Sequence, residues 1–226
     1  WNCWPRPYPR CAMAIVRCHL RTMERLNVYY DLLPRESDIL HLKFWDETFS
    51  LLKAKKAIFF ENNGKNQGCW VMRLETESGS EDKIIVRSNE TVTYVGKDIA
   101  YQLWKLGLLN HDFKYAVLDY DSLRGPVWVT TSSPDRGEQE HPAFGGGAAV
   151  FNVIDVRQSY PQTVVREGVR ALGHENAAER SVHFSYEMVA LTPACAAQLG
   201  IEATAPHEDA GRRADLEVER QAVKRG

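Results

Sequence analysis

Residues 88–107 read SNETVTYVGKDIAYQLWKLG, and this stretch decides the fold. β-Branched and aromatic residues dominate positions 91–95, which predicts a short strand. Gly96 allows an abrupt turn, and Asp98 is a residue type that caps helix N-termini well. Apolar residues then recur at helical spacing up to Gly107, a residue type that often ends helices. The stretch therefore predicts a strand, a tight turn and a helix.

This arrangement would place Tyr94 and Asp98 at the C-terminal end of a strand, where α/β sheets bind ligands. A phenol and a carboxylate together can hold a small cationic group. Asp98 can equally serve only as the cap of its helix. These residues alone leave both interpretations open.

The composition excludes several classes of protein. The chain has 226 residues and a formal net charge of -2, so it can bury one sizeable core and presents no broad basic surface for nucleic acid. Its five Cys residues include no Cys-x-x-Cys pair, which predicts reduced thiols and no metal site. Apolar runs are far shorter than the ~20 residues of a membrane span. We therefore expect a soluble, cytoplasmic protein that binds no membrane.

The remaining elements follow from hydrophobic spacing. Amphipathic spacing predicts helices at residues 11–26, 39–55, 159–172 and 193–199. β-Rich runs predict strands at 27–33, 58–60, 69–74, 84–87, 91–95, 127–131, 149–154 and 183–191. The strand-helix-strand pattern after residue 148 indicates a parallel pair with a right-handed crossover, and the 149–154 strand is of the buried type.

Local residue choices add detail to these elements. The strands at 69–74, 84–87 and 91–95 are expected to form a small antiparallel meander. Its last turn would favour Gly where Glu90 stands, since that position needs positive φ. Ser37 or Asp38 is expected to cap the helix at 39–55.

We expect a poorly defined N-terminal end at residues 1–17, a folded region at 18–200 and a charged, disordered tail at 201–226. A Pro-, Ser-, Asp- and Glu-rich passage at 119–148 predicts a long mobile insertion. Its three consecutive glycines are not followed by Gly-Lys-Ser/Thr, so we reject a phosphate-binding loop there.

Five segments together resemble the catalytic domain of arginyl-tRNA synthetases, a class I aminoacyl-tRNA synthetase family. They are YDLLPRESDI (30–39), GCWVM (68–72), TYVGKDIAY (93–101), VIDVRQ (153–158) and HFSYEMV (183–189). The likeness covers residues 18–191 and keeps the order of the family. It implies an α/β fold over residues 18–200, namely a partial Rossmann-type nucleotide-binding catalytic domain.

The resemblance also implies a reaction and a set of site residues. The reaction is activation of L-arginine by ATP, accompanied by Mg2+, and transfer of the arginyl group to tRNA(Arg). In the family, a Tyr and an Asp grip the substrate guanidinium, and these fall on Tyr94 and Asp98. Gln158 matches a residue that helps to position the amino acid. Met188 and Val189 fall on the segment whose backbone contacts adenine. No catalytic residue or metal ligand is implied.

The sequence departs from the family at the groups that handle ATP. It contains neither the His-x-Gly-His signature nor the Lys-Met-Ser-Lys-Ser signature, and only residues 224–226 faintly resemble a variant of the second. Asp155 and Glu90 stand where the family has Gly. We therefore expect an arginine–tRNA ligase fragment that is inactive alone. A non-catalytic arginine-binding or regulatory module stays open as the alternative. A nucleotide-binding oxidoreductase is disfavoured, because no Gly-rich turn follows a first strand.

Overall fold

The computed structural model describes residues 8–76, 79–187 and 191–200. Its helices are α1 (Tyr8–Arg25), α2 (Glu36–His41), α3 (Phe44–Ala54), α4 (Tyr94–Lys105), α5 (Ser159–Ala171), α6 (Glu175–Glu179) and α7 (Pro193–Gln198). Its strands are β1 (Leu32–Leu33), β2 (Phe59–Phe60), β3 (Trp70–Thr76), β4 (Gly79–Val86), β5 (Lys114–Val117), β6 (Trp128–Thr131), β7 (Val150–Asp155) and β8 (Ser181–Tyr186). The chain divides into two compact units, Trp1–Ser185 and Tyr186–Gly226.

The strands form three small sheets. In the first, β6 lies in the middle, parallel to β1 and antiparallel to β5. The second is the antiparallel sheet β2-β3-β4, and the third is the pair β7-β8. The fold is therefore mixed α/β with small sheets, and the Rossmann-type nucleotide-binding domain stays a prediction.

The strands β7 and β8 run in the same direction, as predicted. At their beginnings the Val150 N–H donates to the Arg180 carbonyl at 2.9 Å. Further along both strands a ring nitrogen of His183 lies 3.0 Å from the Ile154 carbonyl oxygen. The prediction of a buried strand at 149–154 is wrong, because Phe151 is 64% exposed and alternate residues of β7 face solvent.

The predicted meander is present, but its third strand is much shorter than predicted. Residues 91–93 pair antiparallel with the end of β4 through one bridge, Val92 to Val86, and the Thr93 N–H donates to the Ile85 carbonyl at 2.9 Å. On the other side of the sheet, β2 adds a strand to β3. The chain turns into α4 at Tyr94 because Thr93 caps that helix. The sequence predicted a positive φ at position 90, in the turn that follows β4. Glu90 has a φ of 64°, which agrees with that prediction.

The predicted helix at 39–55 is wrong as one continuous helix. It is divided into α2 and α3 by Lys43, whose φ is 62°. Asp38 does not cap it, and neither does Ser37. Asp38 is buried, and its Oδ2 accepts a hydrogen bond of 2.7 Å from the Thr130 hydroxyl. This bond ties α2 to β6.

Other predicted elements are confirmed with small shifts of their ends. The helices predicted at 11–26, 159–172 and 193–199 are α1, α5 and α7, and the strand at 127–131 is β6. Of the strand predicted at 27–33, only the two residues of β1 are in a strand. The strand β5 was not predicted. The glycines after α4 and α5, Gly107 and Gly173, have φ values of 68° and 93°. The tail predicted at 201–226 lies outside the described residues.

The main core joins α3, α4 and α5 to the β2-β3-β4 sheet. Side chains with no exposed surface form its centre: Phe44, Leu52, Ile85, Val95, Ile99, Leu103, Val164 and Val169. Gly168 lets α5 approach α4 closely, because a Cβ at this position would lie 2.9 Å from Ile99 Cδ1. Burial of these apolar side chains fixes the position of α4 within the unit.

Candidate functional site

The first turn of α4 is fixed by the side chain of Thr93. Its Oγ1 accepts a hydrogen bond of 3.4 Å from the Gly96 N–H and lies 3.0 Å from the Ile85 carbonyl, to which it can donate. The first contact caps the helix, and the second ties the helix to β4. Tyr94 is consequently the first residue of α4, and Asp98 follows one turn later on the same face.

The structure corrects the predicted surroundings of these two residues. Tyr94 lies on a helix and not on a strand, and Asp98 is inside that helix and not its cap. Gly96 does not form a turn either. It is a helical residue whose added Cβ would lie 2.9 Å from Val92 Cγ1 and 3.1 Å from the Trp45 ring. Because Thr93 is the cap, the capping interpretation of Asp98 is wrong.

The Asp98 carboxylate is partly buried and accepts no hydrogen bond from the described residues. Burial is the main cause that raises its pKa, and Glu36 acts in the same direction, whereas Lys105 and Lys97 oppose the increase. No side chain or backbone group in the described part of the chain donates a hydrogen bond to it. Lys97 is itself paired with Glu36. Asp98 can therefore accept hydrogen bonds from a ligand.

Tyr94 presents a phenol beside this carboxylate. Its side chain is 52% exposed and can reach a ligand from solvent. It also lies close enough to Tyr160 to contribute to the increase in the pKa of Tyr160 to about 12, after burial and Glu81. Tyr160 is the second residue of α5. This interaction places the start of α4 near the start of α5.

Gln158 lies two residues before Tyr160, at the end of the 3₁₀ turn Val156–Gln158. It is exposed and immediately precedes α5, as the residue at the N-terminal cap position of that helix. The adenine-contacting residues predicted at Met188 and Val189 lie outside the described residues. The structure thus brings together two of the five predicted site residues.

Asp155 begins the turn that carries Gln158 and is paired. Its carboxylate accepts hydrogen bonds from the Arg157 N–H at 2.9 Å and from the Arg157 Nε at 2.8 Å. These bonds hold the pKa of Asp155 at about 2. Its negative charge is therefore compensated locally by the guanidinium of Arg157.

Two further side chains on the same face of α4 were missed by sequence reasoning. Tyr101 and Lys105 follow Tyr94 by seven and eleven residues, a spacing that returns to one helix face and could have indicated them. Lys105 Nζ lies 4.4 Å from the centre of the Tyr101 ring and donates a 2.8 Å hydrogen bond to Asn152. Burial lowers the pKa of Lys105, and Asp98 opposes that decrease.

A separate cavity lies against β5 and β6, and neither Tyr94 nor Asp98 lines it. The described residues contain no group of three or more His, Cys, Asp or Glu side chains that could hold a metal ion. None of the helices in the described ranges is long and apolar enough to cross a bilayer. The arrangement on α4 is the candidate site because a partly buried carboxylate and an exposed phenol lie on one helix face, and this chemistry suits a cation with several hydrogen-bond donors.

The sequence of this chain is similar to the sequences of several curated proteins. No protein-family profile matches the chain. The chain is 36% identical over 183 residues to the arginine–tRNA ligase of Pyrococcus furiosus, a match that covers 80% of this chain and 28% of the relative. It is 37% identical over 179 residues to the arginine–tRNA ligase of Deinococcus radiodurans, covering 78% of this chain and 29% of the relative.

A solved structure agrees with these relatives. The arginyl-tRNA synthetase of Thermus thermophilus superposes with a TM-score of 0.66 at 31% identity, covering 76% of this chain and 29% of that one. These matches place the chain among the aminoacyl-tRNA synthetases. More particularly, it is a partial arginyl-tRNA synthetase domain. It spans less than a third of the length of the curated relatives it matches.

Proposed function

We propose that the chain binds L-arginine through Asp98 and Tyr94, as the amino-acid-recognition part of an arginine–tRNA ligase. The observation that carries the proposal is a partly buried carboxylate to which none of the described residues donates a hydrogen bond, one helical turn from a half-exposed phenol. A guanidinium presents paired N–H donors in one plane, which a carboxylate accepts together. The phenol oxygen can accept one more. Partial burial strengthens these bonds relative to the same bonds in water.

The full reaction is part of the same proposal. ATP, with Mg2+, would activate the arginine carboxylate, and tRNA(Arg) would then accept the arginyl group. Gln158 would position the amino-acid end of arginine, and the backbone of Met188 and Val189 would contact adenine. We propose a cytoplasmic location, where these substrates meet. Because the sequence has neither ATP signature of the family, we propose that the chain alone is inactive.

A non-catalytic arginine-binding module is the second candidate. The sequence allows it, since binding of arginine through Asp98 needs no ATP-handling group. Both candidates require arginine binding and differ only in turnover. Arginine-dependent exchange of pyrophosphate into ATP therefore separates them, when it is measured after the relatives' remaining regions are supplied as a second chain.

Isothermal titration of the full chain with three ligands tests the pocket. We expect L-arginine to bind more tightly than L-lysine, whose ammonium is a point charge without a planar fork. We also expect it to bind more tightly than L-citrulline, which is isosteric with arginine but neutral and has a carbonyl oxygen in place of one guanidinium nitrogen. If citrulline bound as tightly as arginine, binding would not depend on the positive charge of the ligand and the proposal would fail.

A further inference from the structure

Four polar side chains form a chain of hydrogen bonds between α4 and the β7-β8 pair. Lys105 Nζ donates to Asn152 Oδ1 at 2.8 Å, and Asn152 Nδ2 donates to Gln102 Oε1 at 3.3 Å. Gln102 Nε2 donates to Ser181 Oγ at 3.0 Å, and that hydroxyl donates to the Ala177 carbonyl at 3.0 Å. Gln102 and Ser181 are only 2% and 8% exposed.

The direction of this chain of bonds is set by the lysine at its end. An ammonium group has only donors, so Asn152 must turn its oxygen toward Lys105 and its NH2 group toward Gln102. Gln102 must then present its own NH2 group to Ser181. Reversing any one member would leave a buried donor or acceptor without a partner, which is unfavourable. The four side chains therefore hold one arrangement together.

These bonds connect the two parts of the proposed arginine pocket. Gln102 and Lys105 lie on α4, the helix that carries Tyr94 and Asp98. Asn152 lies on β7, the strand that leads directly into the turn ending at Gln158. The position of α4 relative to β7 thus determines how far the guanidinium-binding groups lie from the group proposed to hold the amino-acid end.

We propose that the hydrogen-bonded series Lys105, Asn152, Gln102 and Ser181 is a positioning network that sets the distance between the two ends of the arginine pocket. This inference rests on the proposed arginine binding. The network touches neither end of the substrate directly. It acts by holding α4 and β7 in register, so it affects ligands that bridge both elements and spares ligands that bind α4 alone.

Two ligands distinguish positioning from a merely structural role. L-arginine bridges both ends, whereas propylguanidine keeps the guanidinium and lacks the amino-acid end. For Asn152→Leu in the full chain, we expect arginine affinity to fall about tenfold and propylguanidine affinity to stay unchanged, both measured by NMR titration. Ser181→Ala is the second variant, which breaks the far end of the network and changes less volume. Ser185→Ala, an exposed change on the same strand, is the matched control and should alter neither affinity.

The outcomes separate the network from the pocket. If both network variants weakened arginine and propylguanidine by the same factor, or weakened neither, the positioning role would be refuted while arginine binding stood. If the unchanged chain bound neither ligand, the proposed function itself would be refuted and the network would lose its role with it.

Discussion

Replacement of Asp98 by Asn separates the contribution of this residue to binding from its contribution to stability. Two unit charges about 4 Å apart at an effective dielectric of about 20 attract by roughly 4 kcal/mol. Removal of water from both groups offsets part of this, so a charge-assisted pair contributes about 1.5–3 kcal/mol. At ~1.4 kcal/mol per tenfold change, Asp98→Asn should weaken arginine binding roughly 10- to 150-fold. The amide keeps the size of the side chain, so the loss reports its charge.

The same substitution should stabilise the folded chain at neutral pH. Burial raises the pKa of Asp98, and it outweighs the attraction of Lys105. At a pH between the pKa of Asp98 in the unfolded chain and its higher pKa in the folded chain, the folded state therefore binds more protons. The free energy of unfolding consequently falls as pH rises through this window. Above the window the ionised carboxylate destabilises the fold. Below it the carboxyl is neutral, and the difference between Asp98 and Asn should disappear.

Urea unfolding across a pH series measures this effect, and isothermal titration measures arginine affinity on the same samples. Asp155→Asn is the control of opposite sign. Hydrogen bonds from Arg157 hold the pKa of Asp155 at about 2, so its ionised form stabilises the fold and its replacement should lower stability at neutral pH. Unchanged arginine affinity in Asp98→Asn would refute the pocket. Lower stability of that variant at pH 7 would show that the carboxylate has a stabilising partner.

Three further predictions address packing, a buried polar pair and turnover. Gly96→Ala should destabilise the chain by about 1–3 kcal/mol in urea unfolding, because the added Cβ would lie 2.9 Å from a methyl group of Val92; unchanged stability would show that this contact relaxes freely. Thr130→Val should lower the free energy of unfolding in urea by about 1–3 kcal/mol, because it removes the hydroxyl that donates a 2.7 Å hydrogen bond to the buried Asp38 carboxylate. Unchanged stability would mean that water replaces the hydroxyl. The purified chain should show no arginine-dependent exchange of pyrophosphate into ATP, and exchange that disappears in Asp98→Ala would contradict its proposed inactivity.

The sequence predicted elements whose signals are local and failed where tertiary contacts compete with them. The helix α5 has a clear apolar period and a Gly with positive φ just beyond its end, and both were recognised. The single helix predicted at 39–55 was wrong because Lys43 adopts positive φ, a conformation that a Lys side chain does not indicate. The buried Asp38 was assigned as a possible cap, since its real partner Thr130 lies 92 residues away in the sequence.

The start of α4 shows the same limit within the site. The β-branched residues at 91–95 favour a strand, but the Thr93 side chain can satisfy the open N–H groups of a helix as well. The structure has the second arrangement, in which Thr93 also contacts a carbonyl of β4. Tyr94 and Asp98 nevertheless share one face of α4, because they lie four residues apart, and their role in binding stays a prediction. Lys105 was missed because its role depends on Asn152, a residue on another element.

The helical placement of Tyr94 and Asp98 divides the proposed pocket into a local and a non-local part. Both side chains lie on one helix whose first turn is held by Thr93, so their relative position follows from residues 93–98 alone. Gln158, the residue proposed to hold the amino-acid end, lies on a different element, and its distance from Asp98 depends on how α4 packs against β7. Substitutions that weaken the packing of α4 against β7 should therefore leave the affinity for a simple guanidinium ligand unchanged. The same substitutions should lower the affinity for complete arginine. The ratio of the two affinities measures the packing of the pocket separately from its chemistry.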